Sequence, residues 1–249
     1  MAYEAKVLAD SISNQGVRLT TLEVTFPRFI LPEFNTHRVF SRNSSSSRAV
    51  PVKKQLERIK NDPFIPEYWG KNQPGMEAES VLSDTEAEQA KTVWLGTRDN
   101  MLESARILQD LGVHKEVINR LLEPFAWHTA IVTATEWSNF FALRINKSAQ
   151  PEMQKTASDM AKALDDSRPQ LLKFGQWHLP LVQPDELEWA GENPDDAIKV
   201  SVGRCARVSY LTHDGKRDPA TDIALHDRLL ANGHMSPFEH VATPDPTGA

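Results

Sequence analysis

Between Thr36 and Arg48 the chain reads Thr-His-Arg-Val-Phe-Ser-Arg-Asn-Ser-Ser-Ser-Ser-Arg, with three arginines, one histidine, one asparagine and five serines. Arginine presents a planar fork of donors that matches phosphate and carboxylate oxygens. Serine hydroxyls donate or accept, and short side chains let backbone N–H groups close on an anion. The chemistry is that of a cradle for a phosphorylated ligand. Composition alone equally permits a solvated Ser-rich loop.

Three other constellations bear on the choice. His234, Glu239 and His240 stand in His-Met-Ser-Pro-Phe-Glu-His. Their spacing runs through Ser-Pro and matches no zinc signature, so no metal site is expected. Ser236 and Glu239 also have the spacing of a helix capping box. Arg120 precedes Pro124, and Arg144 follows the largely apolar Asn139–Leu143. A guanidinium in such a setting needs a carboxylate or phosphate partner. Cys205, the lone cysteine, excludes an intrachain disulfide and reads as a small buried residue.

The rest of the chain must hold these groups in place. It has 249 residues, 40% hydrophobic and 25% charged, which suits a soluble globular protein. A net charge of −6 argues against nucleic acid as a partner and makes the arginines a local positive patch. The N-terminus lacks the pattern of a signal peptide, and no apolar run reaches the length of a membrane span. A cytoplasmic protein with no membrane partner is expected.

Residues 4–12 and 17–30 read as strands, joined by a turn at Asn14-Gln15-Gly16. The apolar face switches at Thr20-Thr21, which marks either a bulge or a strand covered on both sides. A short helix is predicted from Pro51 to Ile59. Residues 62–76 form a loop or lid. Helices are predicted over 83–111, 114–123, 126–144, 150–172 and 219–232, with Met153, Ala157, Met160 and Leu164 of the fourth at helical spacing and its methionines read as core. The first of these is capped at Ser83 or Asp84 and shows an apolar stripe of Val93, Met101, Ala105, Leu108 and Leu111. Residues 178–195 read as a connection. The following Val200–Leu211 reads as a short strand or a helix start.

Taken together, the segments resemble the flavin-dependent thymidylate synthase family. Its signature has the form Arg-His-Arg-x-x-Ser-x-Asn-Glu-x-Ser-x-Arg. Here His37, Arg38, Ser41, Asn43, Ser46 and Arg48 match, while Thr36 replaces the first Arg and Ser44 the Glu. A second family segment, Gly-His-x-[Ser/Thr]-Pro-Phe-Glu-His, is complete from Gly233 to His240. Ala206-Arg207-Val208-Ser209 matches Ala-Arg-x-Ser. Asn139–Arg144 with Ala149–Glu152 matches Asn-Phe-x-x-x-Arg…Ala-Gln-x-Glu. In the family, the Ala-Arg-x-Ser and Pro-Phe-Glu-His segments precede the signature. Here they follow it, so the order resembles a circular permutation.

The resemblance implies an α+β fold, an antiparallel sheet flanked by long helices, in one domain over residues 1–249. Within it, 1–61 holds strands and the signature loop, 62–76 a loop, 77–177 the helical part and 196–240 the permuted flavin-binding segment. It implies conversion of dUMP to dTMP with FAD as cofactor, and with NADPH and methylenetetrahydrofolate as co-substrates. It further implies a homotetramer with shared sites. By residue, it implies flavin contacts from His37, Arg38, Asn43, Asn139, Ser209, His234, Ser236 and Glu239. Nucleotide contacts would come from Glu33, Ser44, Ser45, Ser46, Arg48, Arg120 and Arg144, with Arg144 and Ser46 as the catalytic pair. Glu33 stands where relatives carry Gln, and Thr133 and Thr135 where a flavin-contacting Asn and Arg are expected. These departures leave two alternatives: a hydroxymethylase on the same scaffold, or a binding protein without catalysis.

Overall fold

The structure is a computed structural model that describes residues 2–208 and 217–246. Two ten-residue strands, β1 (Glu4–Ser13) and β2 (Arg18–Pro27), form an antiparallel hairpin. Gly16, at φ +81°, makes the tight turn between them. β2 is rich in β-branched and aromatic residues (Thr20, Thr21, Val24, Thr25 and Phe26) that suit a pleated surface. The remaining strands are β3 (Ser41–Ser44), β4 (Trp127–Ala134) and β5 (Gln170–Leu172). The sheet order is β3-β4-β2-β1-β5, antiparallel except for the short β5, which runs parallel to β1.

The face switch at Thr20-Thr21 comes from burial on both sides of β2. Thr20, Thr21, Leu22, Val24, Thr25 and Phe26 are all buried. The register irregularity lies in the partner strand, between Val7 and Ala9. After Pro27 the chain turns into a 3-10 segment and α1 (Leu31–Phe34), so the extended run ends before residue 30.

On one sheet face Leu22, Val24, Phe26, Ala130 and Val132 pack against Phe34, Phe40 and Phe140, and against Met153, Ala157 and Met160 of α6 (Pro151–Asp166). The predicted core role of these methionines is therefore met. On the other face Ile131 meets Cys205 and Val208 at the end of α8 (Pro194–Ala206). Between β5 and α8 the connection holds α7 (Leu187–Glu192). A second core joins α2 (Val52–Asn61), α3 (Asp84–Asp110) and α4 (Lys115–Ile118) through Leu56, Ile59, Leu102, Ala105, Ile118 and Leu122. A capping box between Ser83 and Glu86 starts α3, and Gly112, at φ +79°, follows its end.

Several element readings are corrected. The helix predicted over 126–144 is β4 followed by α5 (Ser138–Arg144). Residues 128–134 are buried throughout, so the strand shows no alternation to tell it from a buried helix. The helix of 150–172 ends at Asp166, and its tail is β5. Only Lys115–Ile118 of 114–123 is α-helical, because Asn119–Phe125 is a 3-10 segment around Pro124. Val93 and Leu111 lie exposed, off the apolar stripe of α3. Val200–Ala206 is helical, and α9 (Pro219–Ala231), capped by Asp218, follows.

Candidate active site

β3 carries the centre of the Thr36–Arg48 segment and is an edge strand paired with β4. Its two ends lead into two polar clusters. At the first, Arg144 at the C-terminal end of α5 reaches the loop after α1. Its Nε donates to His37 Nε2 at 2.8 Å, one terminal nitrogen donates to the Glu33 carboxylate, and the other donates to Thr36 Oγ1 at 3.3 Å. All three nitrogens of one guanidinium are thus engaged, which fixes its plane. The partner that Arg144 requires is a carboxylate together with an imidazole.

His37 is buried, edge-on to Phe140 with ring centroids 4.8 Å apart. Burial, then the charges of Arg144 and Arg42, hold its pKa below the ordinary histidine value. It is therefore neutral at physiological pH, and because Nε2 accepts from Arg144, the proton sits on Nδ1. Arg42 donates to the His37 carbonyl at 2.7 Å and feels the charge of Glu239.

At the second cluster Glu123, in the 3-10 segment before β4, gathers donors from three elements. Its Oε1 accepts from Ser47 Oγ at 2.7 Å and from Arg120 at 3.0 Å. Arg28 Nε lies 3.0 Å away, an ion-pair distance without hydrogen-bond alignment. Arg28 also donates to His128 Nδ1 at 2.7 Å and to the Ser45 carbonyl at 3.3 Å. Burial and the Arg28 charge push His128 down to about 3, so it is a neutral acceptor. Arg48 is exposed, 3.8 Å from Glu116.

The Gly233–His240 segment meets the sheet although it lies near the other end of the chain. Residues Ser236–His240 form a 3-10 turn packed on β3 and β4. The buried His240 is tied in by a chain of hydroxyls and imidazoles. Its Nδ1 is 2.7 Å from Thr133 Oγ1, which is 2.7 Å from Thr21 Oγ1. Thr21 is 2.8 Å from His178 Nε2, and His178 Nδ1 is 2.8 Å from Ser11 Oγ. Thr133 is thus a buried link inside the fold. The capping-box reading of Ser236 and Glu239 is not realised, since no side chain caps this turn.

The expected site residues divide by what surrounds them. Glu33, Thr36, His37 and Arg144 come together, and Arg120 joins Ser47 and Glu123. Arg38, Ser44, Ser46, Asn139, His234, Ser236 and Glu239 are exposed at the surface. Ser45 exchanges hydrogen bonds with the backbone of Thr129, and Asn43 donates to the Cys205 carbonyl at 3.2 Å. Both therefore hold the segment to the fold. Ser209 lies outside the described residues. Arg28, Glu123 and His128 were missed by sequence reasoning. A charged residue directly after Pro27 and a histidine inside an apolar run were the available signals.

A donor set of exposed Arg48 and Arg120 beside Ser46 fits a dianionic phosphate. Arg38, Asn139, His234 and Ser236 are exposed, with guanidinium, amide, imidazole and hydroxyl groups able to hydrogen-bond a polar ligand.

A family model described as thymidylate synthase complementing protein matches residues 18–170, more than half of the chain. That stretch holds β2, β3, β4, α5 and α6, and so both polar clusters. Among solved structures, the UMP/dUMP methylase PolB from Streptomyces cacaoi, bound with 5-Br UMP, is similar with a TM-score of 0.54. The match covers 66% of this chain and 88% of that chain at 16% sequence identity, which speaks for a common fold. No curated protein sequence matches.

Proposed function

The chain belongs to the thymidylate synthase complementing protein family, the flavin-dependent thymidylate synthases, and on that premise we propose that it methylates dUMP at C5 to give dTMP, with methylenetetrahydrofolate as carbon donor and NADPH as reductant. The observation that carries this reading is the pairing of a fixed guanidinium, Arg144, with a group of phosphate-type donors around Arg48 and Arg120. β3 spans four residues between them, roughly 10 Å of extended chain. A nucleoside monophosphate needs both a cationic end for its phosphate and an oriented donor for a ring carbonyl.

In this reading Arg48 and Arg120 neutralise the phosphate, with Ser44 and Ser46 adding hydroxyl donors. Arg144 donates to a pyrimidine carbonyl and draws electron density from the ring, which makes it more electrophilic. Oriented donors of this kind act most strongly where charge develops in the transition state. The neutral His37 accepts from Arg144 Nε without discharging it. Bound FAD would supply the hydride-transfer chemistry, held by His37, Arg38, Asn139, His234, Ser236 and Glu239. Cys205 is buried and burial raises its thiol pKa far above neutrality, so it is no nucleophile. Sites shared across a homotetramer remain part of the proposal, and the mass of the purified protein in solution tests them.

A second reading is favoured by the two altered partners of Arg144. Thr36 and Glu33 change the charge beside this guanidinium from what the family pattern implies, and the same scaffold would then release a hydroxymethyl product. Three measurements decide. Bound flavin gives the purified protein a yellow absorbance. Release of tritium from C5-labelled dUMP, with folate and NADPH, reports substitution at C5, and its absence overturns both readings. Chromatography of the nucleotide then separates methyl from hydroxymethyl.

A further inference from the structure

We propose that Glu123 is a built-in competitor for the substrate's phosphate, and that Ser47 and Arg28 are further phosphate-binding residues exposed when it withdraws. This deepens the nucleotide-site reading above and rests on it for the identity of the ligand. The argument starts from one oxygen atom. Glu123 Oε1 has Ser47 Oγ at 2.7 Å, Arg120 at 3.0 Å and Arg28 Nε at 3.0 Å. A hydroxyl and two guanidinium groups from three different elements therefore converge on a single anionic oxygen. Such a donor set is what a phosphate oxygen requires.

Two of the three donors, Arg28 and Ser47, do not depend on Glu123 for their positions. Arg28 is anchored on its other side by the neutral His128 ring and the Ser45 carbonyl. Ser47 is held through its carbonyl by Asn119 Nδ2 at 2.7 Å, and the same amide nitrogen donates to the Val50 carbonyl at 2.9 Å. Arg120 is half exposed and free to follow an incoming ligand. Withdrawal of the carboxylate thus leaves a formed cradle.

The fit of Glu123 is also imperfect in a way a phosphate corrects. Arg28 Nε is buried and finds no aligned acceptor, although the carboxylate oxygen is near. A phosphate presents three terminal oxygens and more acceptor directions. Its second negative charge also answers two guanidinium groups better than a single carboxylate does. The carboxylate serves in the meantime to keep Arg28, largely buried, from standing as an unpaired charge.

The test is calorimetric titration of the full chain with inorganic phosphate and with dUMP. Glu123→Gln should bind both more tightly, by about two- to five-fold given the strength of partly exposed ion pairs. Unchanged or weaker binding overturns the proposal. Should that variant fail to fold, Ser47→Ala decides: dUMP affinity must fall several-fold while deoxyuridine, which lacks the phosphate, binds as before. An equal loss for both ligands, or no loss for dUMP, also overturns it. These outcomes are separable from the catalytic reading. Tighter phosphate binding without turnover supports the competitor and removes the thymidylate reaction. Turnover with unchanged phosphate affinity does the reverse.

Discussion

Arg144 is where the residue-scale chemistry concentrates. Its position after an apolar run already requires a partner, and the structure supplies Glu33, His37 and Thr36. Arg144→Ala should lower turnover of dUMP by roughly 100- to 1000-fold, the usual cost of one oriented donor to a reacting carbonyl. Arg144→Lys should not restore it, because a point charge cannot meet a carboxylate, an imidazole and a hydroxyl at once. Tritium release measures both, and thermal melts near the wild-type value exclude unfolding as the cause. Glu33→Gln keeps the shape and removes the charge beside Arg144. It should change kcat more than KM if the pair tunes polarisation, and steady-state kinetics at saturating folate read the difference. Arg28, Glu123 and His128 escaped notice because nothing in their local sequence announces that they converge. Arg28 and His128 are 100 positions apart and meet only through the pairing of β2 with β4.

At the scale of elements, the C-terminal helices depend on one close approach. A Cβ added to Gly203 in α8 would lie 2.4 Å from the Asp222 carbonyl oxygen in α9 and within 3.0 Å of two further backbone atoms. Backbone cannot swing aside as a flexible side chain would. Gly203→Ala should therefore destabilise the protein by about 1–3 kcal/mol, typical of overpacking, seen as a lower denaturant midpoint. Next to this contact, Arg204 is buried and reads Asp222 at 3.0 Å and Glu186 at 2.6 and 2.7 Å. The pair of helices that carries Cys205 to the sheet and leads to His240 is therefore positioned by shape and charge together. The strand β4 teaches a different lesson. Its burial on both faces erased the alternation that would have identified it, whereas α3, with a solvated face and a capping box, was legible almost to its ends.

For the whole molecule, the buried histidines set a response to acid. His178 and His240 are pushed down to about 4 and His128 to about 3, in each case chiefly by burial. Their native pKa values lie below the unfolded value of about 6.5. The unfolded chain therefore takes up protons that the native state refuses. Stability is full above roughly pH 6.5 and is lost as pH falls from there toward 4. Each group contributes on the order of 3 kcal/mol to that loss, so three together rival the stability of a typical domain. Urea midpoints measured between neutral and mildly acidic pH should fall steeply. His178→Gln should flatten the slope by roughly one third, and an unchanged slope would remove His178 from this account. Because His178 and His240 join β1, β2, β4 and the C-terminal segment, acid should release the whole sheet cooperatively.

Family membership, the two signature segments and the demand of Arg144 for a partner were legible in the sequence, because each rests on residue types at short spacing. So were the hairpin, α3 and the buried methionines, which follow from local periodicity and turn chemistry. Tertiary structure alone decided that β4 is a strand and that β5 extends the sheet. It also decided that Gly233–His240 returns to β3 and β4 from the far end of the chain. Pairing across the sheet and burial of neutral histidines depend on residues distant in sequence, and the free energy of such contacts has no local signature. The same holds for Glu123, which beside its local partner Arg120 receives Ser47 and Arg28 from distant stretches.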